Sequence, residues 1–155
     1  MRDIVKEIHD MLIRKQKTLA IAESCTGGLL CGLLTRFSGS SQYFILGVAT
    51  YSNIAKQSLL KIPASFIKKN GAVSKPVAAA MAKNIRKIAK TDFGIGITGI
   101  AGPTGGTPIK PVGTVFIAVA NKNKTICARY CFKGNRASIR KKSAVTALQL
   151  LKKIL

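Results

Sequence analysis

The stretch "LAIAESCTGGLLCGLL", residues 19–34, sets the fold class. Leu19, Ala20, Ile21 and Ala22 make a short apolar run that reads as a buried strand. From "CTGG" onward, small and apolar residues read as a helix that begins near Thr26 and closes before the "SGSS" turn at 38–41. A strand, a tight turn and a helix are the repeating unit of an α/β sheet, and Ser24 falls at the junction. A serine there projects its hydroxyl above the sheet edge. Unpaired N–H groups of the following helix, around Thr26, Gly27 and Gly28, can hold an oxyanion or a phosphate. The same letters also describe a plain helix cap with glycine-mediated packing, and the stretch alone leaves both readings open.

Working outward, residues 3–15 place Ile4, Ile8 and Leu12 on one helical face with charges around the rest. "YFILGVATY" is a second strand, apolar enough to be buried on both faces, and Ser52 caps a helix over "NIAKQSLLKI" that Pro63 should end. Ser74 caps another helix from Pro76 to Lys90, with Val77, Met81, Ile85 and Ile88 on its apolar side. "DFGIGITGI" is a third strand running into "AGPTGGTPIKPVG", a Gly/Pro-rich loop of a length that usually signals function. "TVFIAVA", the turn "NKNK" and "TICARYCF" make a hairpin, with Ile126, Ala128, Tyr130 and Phe132 alternating onto the core face. A last helix from about Arg136 carries Ala144, Leu148, Leu151 and Leu155 on one side. The sequence therefore predicts one domain over residues 1–155, a three-layer α/β/α sandwich with a mixed, mainly parallel sheet.

The chain has 155 residues, 47% of them hydrophobic, enough to bury a core without disulfides or metals. No apolar stretch reaches the roughly 18 residues of a membrane helix, and the charged start "MRDIVKEIHDMLIRKQK" is unlike a signal peptide, so a soluble cytoplasmic protein is expected. The four cysteines show no metal-binding spacing. In a strand, Cys127 and Cys131 would lie about 13 Å apart, too far for a disulfide. The net charge of +21 points either to anionic partners or to lysine enrichment on solvated faces. The scattered lysines, the lack of any run of five basic residues and the small number of aromatics favour the second, leaving nucleic acid as a nonspecific, charge-driven partner.

Counting narrows the chemistry. His9 is the only histidine and lies in the charged first helix, so a serine–histidine triad would have to be built there. Three of the five acids, Asp3, Glu7 and Asp10, share that helix, leaving Glu23 and Asp92, too few for a two-carboxylate glycosidase or a metal site. "GIGITG", Gly94–Gly99, matches a dinucleotide fingerprint only in form, because it lies within a strand and no helix opens after it. What remains is a hydroxyl or thiol nucleophile activated by lysine or tyrosine, either of which acts as a base when its pKa is depressed. "ATYSNIAK", residues 49–56, is a second strand-to-helix junction. In a parallel sheet two such junctions share an edge, which lets Ser24 meet Tyr51 and Lys56, themselves a turn apart and able to share a hydrogen bond. A strand-end tyrosine and a solvated lysine fit the same letters.

The segments "AESCTGG", "TYSNIAK", "GAVSKPV", "TGIAGPTGG", "KPVGTV" and "FKGNRASIR", in this order from about residue 4 to the end, resemble the CinA C-terminal domain family. Characterised members are nicotinamide-nucleotide amidohydrolases, and the chain is similar to their stand-alone form. The resemblance implies metal- and cofactor-independent hydrolysis of the carboxamide of nicotinamide mononucleotide. Ser24 would be the nucleophile, Lys56 the base and Tyr51 an orienting or relaying partner. It also points to Thr98 and Gly99 beside the substrate, to Arg136 for the phosphate with Arg140 as second candidate, and to a homodimer. Thr107, Pro108 and Ile109 depart from the polar or acidic residues usual in relatives. The competing readings are Cys25 as nucleophile, a nucleic-acid-binding module, and a protein that keeps the fold without turnover.

Overall fold

The computed structural model describes residues 3–155. Its elements run α1 (Ile4–Lys15), β1 (Leu19–Glu23), α2 (Leu29–Leu34), β2 (Phe44–Ala49), α3 (Asn53–Ser58), α4 (Ala64–Asn70), α5 (Lys75–Ala89), β3 (Phe93–Gly99), β4 (Thr114–Ala120), β5 (Thr125–Cys131) and α6 (Arg136–Lys152). The five strands form one mixed sheet in the order β2-β1-β3-β4-β5. β1 pairs parallel with β2 and β3, whereas β3–β4 and β4–β5 are antiparallel. The loop 100–113 therefore leaves β3 and enters β4 at one edge of the sheet, the edge where β1 and β2 also end.

Strand alternation divides the core into two layers. Leu19 and Ile21 of β1, Phe93, Ile95 and Ile97 of β3 and Val115, Ile117 and Val119 of β4 face α1, α2 and α6. Ala20 and Ala22 face Val77, Met81 and Ile85 of α5, and Ala118 and Ala120 pack with Ala78 and Ala82 of the same helix. The three-layer α/β/α sandwich expected from the sequence is the observed architecture.

Small residues on the α5 side let that helix lie close to the sheet, which explains the "GIGITG" pattern. A Cβ on Gly96 would meet the backbone of Ala78 and Ala82, approaching the Ala82 nitrogen to 2.6 Å. A Cβ on Gly94 would likewise strike the Ala82 carbonyl. Backbone atoms cannot rotate aside, so Gly96→Ala should cost about 2–3 kcal/mol by overpacking. Urea unfolding of this variant should show a lowered midpoint with an unchanged slope.

Several elements differ from their sequence expectation. β2 is an edge strand whose residues alternate between half-buried and exposed, with Ile45 51% exposed. Its apolar letters suggested burial on both faces, but β3 takes the place beside β1, and among the described residues no strand pairs with the outer side of β2. The helix after Ser52 ends at Ser58, and Pro63 opens α4 as its N-cap instead of only ending α3. On α5 the buried row steps by four through Val77, Met81 and Ile85 to Ala89, which leaves Ile88 exposed. α2 begins at Leu29, three residues later than expected, for a reason that lies in the site itself. All four cysteines are free, with Cys127 and Cys131 on β5, and no helix among the described residues is long and apolar enough to cross a membrane.

Candidate active site

The register pairs Glu23 with Ala49, so Ser24 and Thr50 follow side by side at the edge where the parallel strands end. There the Thr50 amide donates to the Glu23 carbonyl at 2.8 Å. The chain then turns into α3, whose start is fixed by Ser52 Oγ accepting from the Ala55 amide at 3.0 Å. One turn in, this cap delivers Lys56 to the interior, where it is only 2% exposed. Lys56 Nζ donates to the Thr50 carbonyl at 2.8 Å and to Ser24 Oγ at 3.1 Å. Among the described residues no carboxylate pairs with it. Burial therefore disfavours its charged form and lowers its pKa from the ordinary lysine value. A serine hydroxyl held against a buried amine that sheds its proton readily has the geometry of an activated nucleophile.

These side chains lie in a cleft of about 300 Å³ whose walls include Tyr51, Asn53, Thr98, Gly99 and Arg136 and the loop from Ile100 to Gly105. Thr98 Oγ1 is held by the Ala72 carbonyl at 2.8 Å. Arg136, the first residue of α6, reaches across the cleft. It donates from Nη1 to the Gly102 carbonyl and from Nη2 to the Tyr51 hydroxyl, each at 2.8 Å. Tyr51 is 60% exposed and bonds Arg136, not Lys56, so the hydrogen bond expected between Tyr51 and Lys56 is absent. The lysine's reach is used on Ser24 and Thr50 instead.

Thr26, Gly27 and Gly28, expected to receive an oxyanion, do not line this cleft. The amide of Gly28 and two that follow it are instead capped by Glu23, which is fully buried. Ser24 faces the cleft, and Glu23, one residue earlier, turns the opposite way beneath the turn. Its Oε2 accepts from the amides of Gly28 (3.1 Å) and Leu30 (3.2 Å), and its Oε1 from that of Cys31 (2.9 Å). The Gly27 amide is also occupied, donating to the Ser24 carbonyl at 3.0 Å. Gly27 and Gly28 take positive φ of 60° and 92°, and this glycine turn delays the first helical residue to Leu29. The cap and the nucleophile are thus two adjacent residues facing opposite ways. Among the described residues, the Cys25 amide has no backbone acceptor and only its own thiol beside it, and Cys25 borders the cleft.

Arg140 lies outside the cleft and pins the Thr26 carbonyl through Nε (3.2 Å) and Nη2 (2.7 Å). The Cys25 thiol is pushed up to about 12, chiefly by burial, which keeps it protonated and poorly nucleophilic. His9 is buried on α1 and does not line the cleft, its Nδ1 3.2 Å from the Tyr43 hydroxyl and its ring beside Phe37. Among the described residues no three His, Cys, Asp or Glu side chains converge. The capping role of Glu23 and the Thr50 carbonyl escaped the sequence reading. Alternation was the available signal for Glu23, since a serine facing the cleft sends its neighbour under the turn.

The profile of the CinA C-terminal domain matches residues 1–155. A CinA-like protein of Syntrophus aciditrophicus is 49% identical over 94% of this chain and 35% of that protein. A putative competence-damage inducible protein of Thermoanaerobacter pseudethanolicus is 46% identical over 97% of this chain and 37% of that protein. The chain spans about a third of the length of these curated relatives. Among solved structures, a competence-damaged protein (CinA) superfamily protein from Escherichia coli superposes with a TM-score of 0.93 at 32% identity, covering 98% of this chain and 88% of that one. A competence/damage inducible protein from Agrobacterium tumefaciens does so at 0.92 and 33% identity, covering 99% and 96%. With ordered motifs, fold and profile in agreement, the chain belongs to the CinA C-terminal domain family.

Proposed function

We propose that this cleft hydrolyses the carboxamide of nicotinamide mononucleotide, giving nicotinate mononucleotide and ammonia. The observation that carries the reading is the buried Lys56 amine 3.1 Å from the Ser24 hydroxyl at a cleft wall. Uncharged Lys56 donates one N–H to the Thr50 carbonyl and uses its lone pair to take the Ser24 proton. Ser24 Oγ bonds to the carboxamide carbon, and the carbonyl electron pair moves to oxygen, where the Cys25 amide receives the charge. Lys56 returns its proton to the nitrogen, the C–N bond breaks, and ammonia leaves an acyl-serine. Water then gives a proton to Lys56 and its oxygen to the acyl carbon. Nicotinate mononucleotide departs as Ser24 recovers its proton. Arg136 retains N–H donors for the phosphate, and Tyr51 orients it.

Ammonia release, assayed with the mononucleotide and with free nicotinamide, tests this reading. Turnover of the nucleotide well above that of the base supports it, and no release from either overturns it. Arg136→Ala should raise KM for the nucleotide roughly 10–100-fold with a smaller effect on kcat, as removal of a charge-assisted hydrogen bond to phosphate would.

The pH dependence follows from Lys56. Its depressed pKa means that kcat/KM rises with pH as Lys56 loses its proton, with a midpoint below the ordinary lysine value of about 10.4. Lys56→Arg keeps a cation that cannot deprotonate, so its activity should stay low across the whole profile. Stability moves in the same direction. Between the lowered folded value and the ordinary one, the unfolded chain binds the proton and the folded chain does not, so the Lys56 contribution to stability rises with pH there.

A further inference from the structure

We infer that the end of the sheet opposite the cleft is a binding face for the phosphate backbone of duplex nucleic acid, read without sequence preference. Two clefts of about 410 and 480 Å³ adjoin there, sharing Arg86, Lys122 and the asparagines on either side of Lys122. The last turns of α5 and the β4–β5 turn surround them with Lys83, Arg86, Lys87, Lys90, Lys122 and Lys124. Among the described residues none of these cations pairs with a carboxylate. Among the described residues, the only acidic side chain lining either cleft is Asp92, already occupied by the Thr18 amide and hydroxyl and by Lys17. The β4–β5 turn is rigid, because Asn121 Oδ1 accepts from the amides of both Asn123 and Lys124 at 2.9 Å. Its lysines are presented on a fixed frame, unlike lysines spread along a solvated helix.

The chemistry of this lining selects the partner. Single strands are held by bases stacked on exposed aromatic rings, and the one aromatic here, Phe93, is buried. Lipid surfaces favour exposed apolar side chains among the cations, whereas Ile154 and Leu155 in this lining are half-buried. A grooved, cationic surface without stacking rings or apolar wedges suits the regularly spaced phosphates of a duplex.

The test is fluorescence anisotropy with a labelled mixed-sequence 20-base-pair DNA over a salt series. Affinity should fall linearly in log–log form. Lys122→Glu with Lys124→Glu should weaken binding at least ~10-fold and reduce the salt slope by about 2, one for each phosphate no longer neutralised. Reversing two exposed lysines on α4, Lys68→Glu with Lys69→Glu, should change little. Ammonia release should be unaffected by the Lys122/Lys124 pair, because that turn lies at the far end of the sheet from Ser24. No binding at about 50 mM salt overturns the inference. So does an equal loss from the α4 pair, which would mark a general charge effect. Tighter capture by phosphatidylserine vesicles, abolished by the Lys122/Lys124 variant, also overturns it.

Discussion

Ser24→Ala should lower ammonia release from nicotinamide mononucleotide by at least ~10³-fold while leaving the thermal transition within a few degrees of the parent. The alanine removes the only atom that forms the covalent bond, and no neighbour replaces it. Cys25, next in the chain, is buried with its thiol pushed up to about 12, too protonated to attack at neutral pH. Lys56→Ala should fall by a comparable factor, because proton removal from serine is otherwise left to water. In the proposed mechanism the two side chains act as one unit, so the double variant should be little worse than either single one. Wild-type rates in Ser24→Ala, or strict additivity of the two losses, would exclude this mechanism. The protein should tolerate the change at Ser24 well, because the turn is held by Glu23 beneath it.

Glu23→Ala should be the most destabilising single change near the site, at roughly 3–5 kcal/mol. Three backbone amides, of Gly28, Leu30 and Cys31, lose their acceptor, and the cavity left behind is buried. Glu23→Gln keeps the volume but offers one carbonyl oxygen, and its NH₂ group faces N–H groups that are themselves donors. It should recover only part of the loss. Guanidinium unfolding monitored by far-UV circular dichroism measures both. An alanine variant as stable as the parent would show that the amides find water instead.

The sequence made local features readable and long-range ones unreadable. The caps of α3 and α5 rest on Ser52 and Ser74, each bonding an amide three residues on, so a short motif contains the whole interaction. The strand-turn-helix at Ser24 and the hairpin around "NKNK" are local in the same sense. The edge position of β2 is not, because it depends on β3, more than 40 residues later, pairing with the other side of β1. Glu23 was hidden for a related reason. Its partners lie five to eight residues downstream, across two glycines whose positive φ bends the amides back over it. In the site, counting away histidine and acid partners left a hydroxyl or thiol with a lysine or tyrosine, and the resemblance to the CinA C-terminal domain family then pointed to Ser24 and Lys56. The placement of Tyr51 on Arg136 depends on α6, 85 residues distant, and no spacing announces it.

The antiparallel step from β3 to β4 has a consequence for how this domain diversifies. Gly99 and Val115 are partners in the sheet, so the two feet of the loop 100–113 stand next to each other whatever lies between them. A parallel successor would have committed that segment to crossing the sheet, with its length tied to the helix it had to reach. Here the segment is a cassette. Its length and sequence can change while its two feet, Gly99 and Val115, stay paired in the sheet beside the ends of β1 and β2.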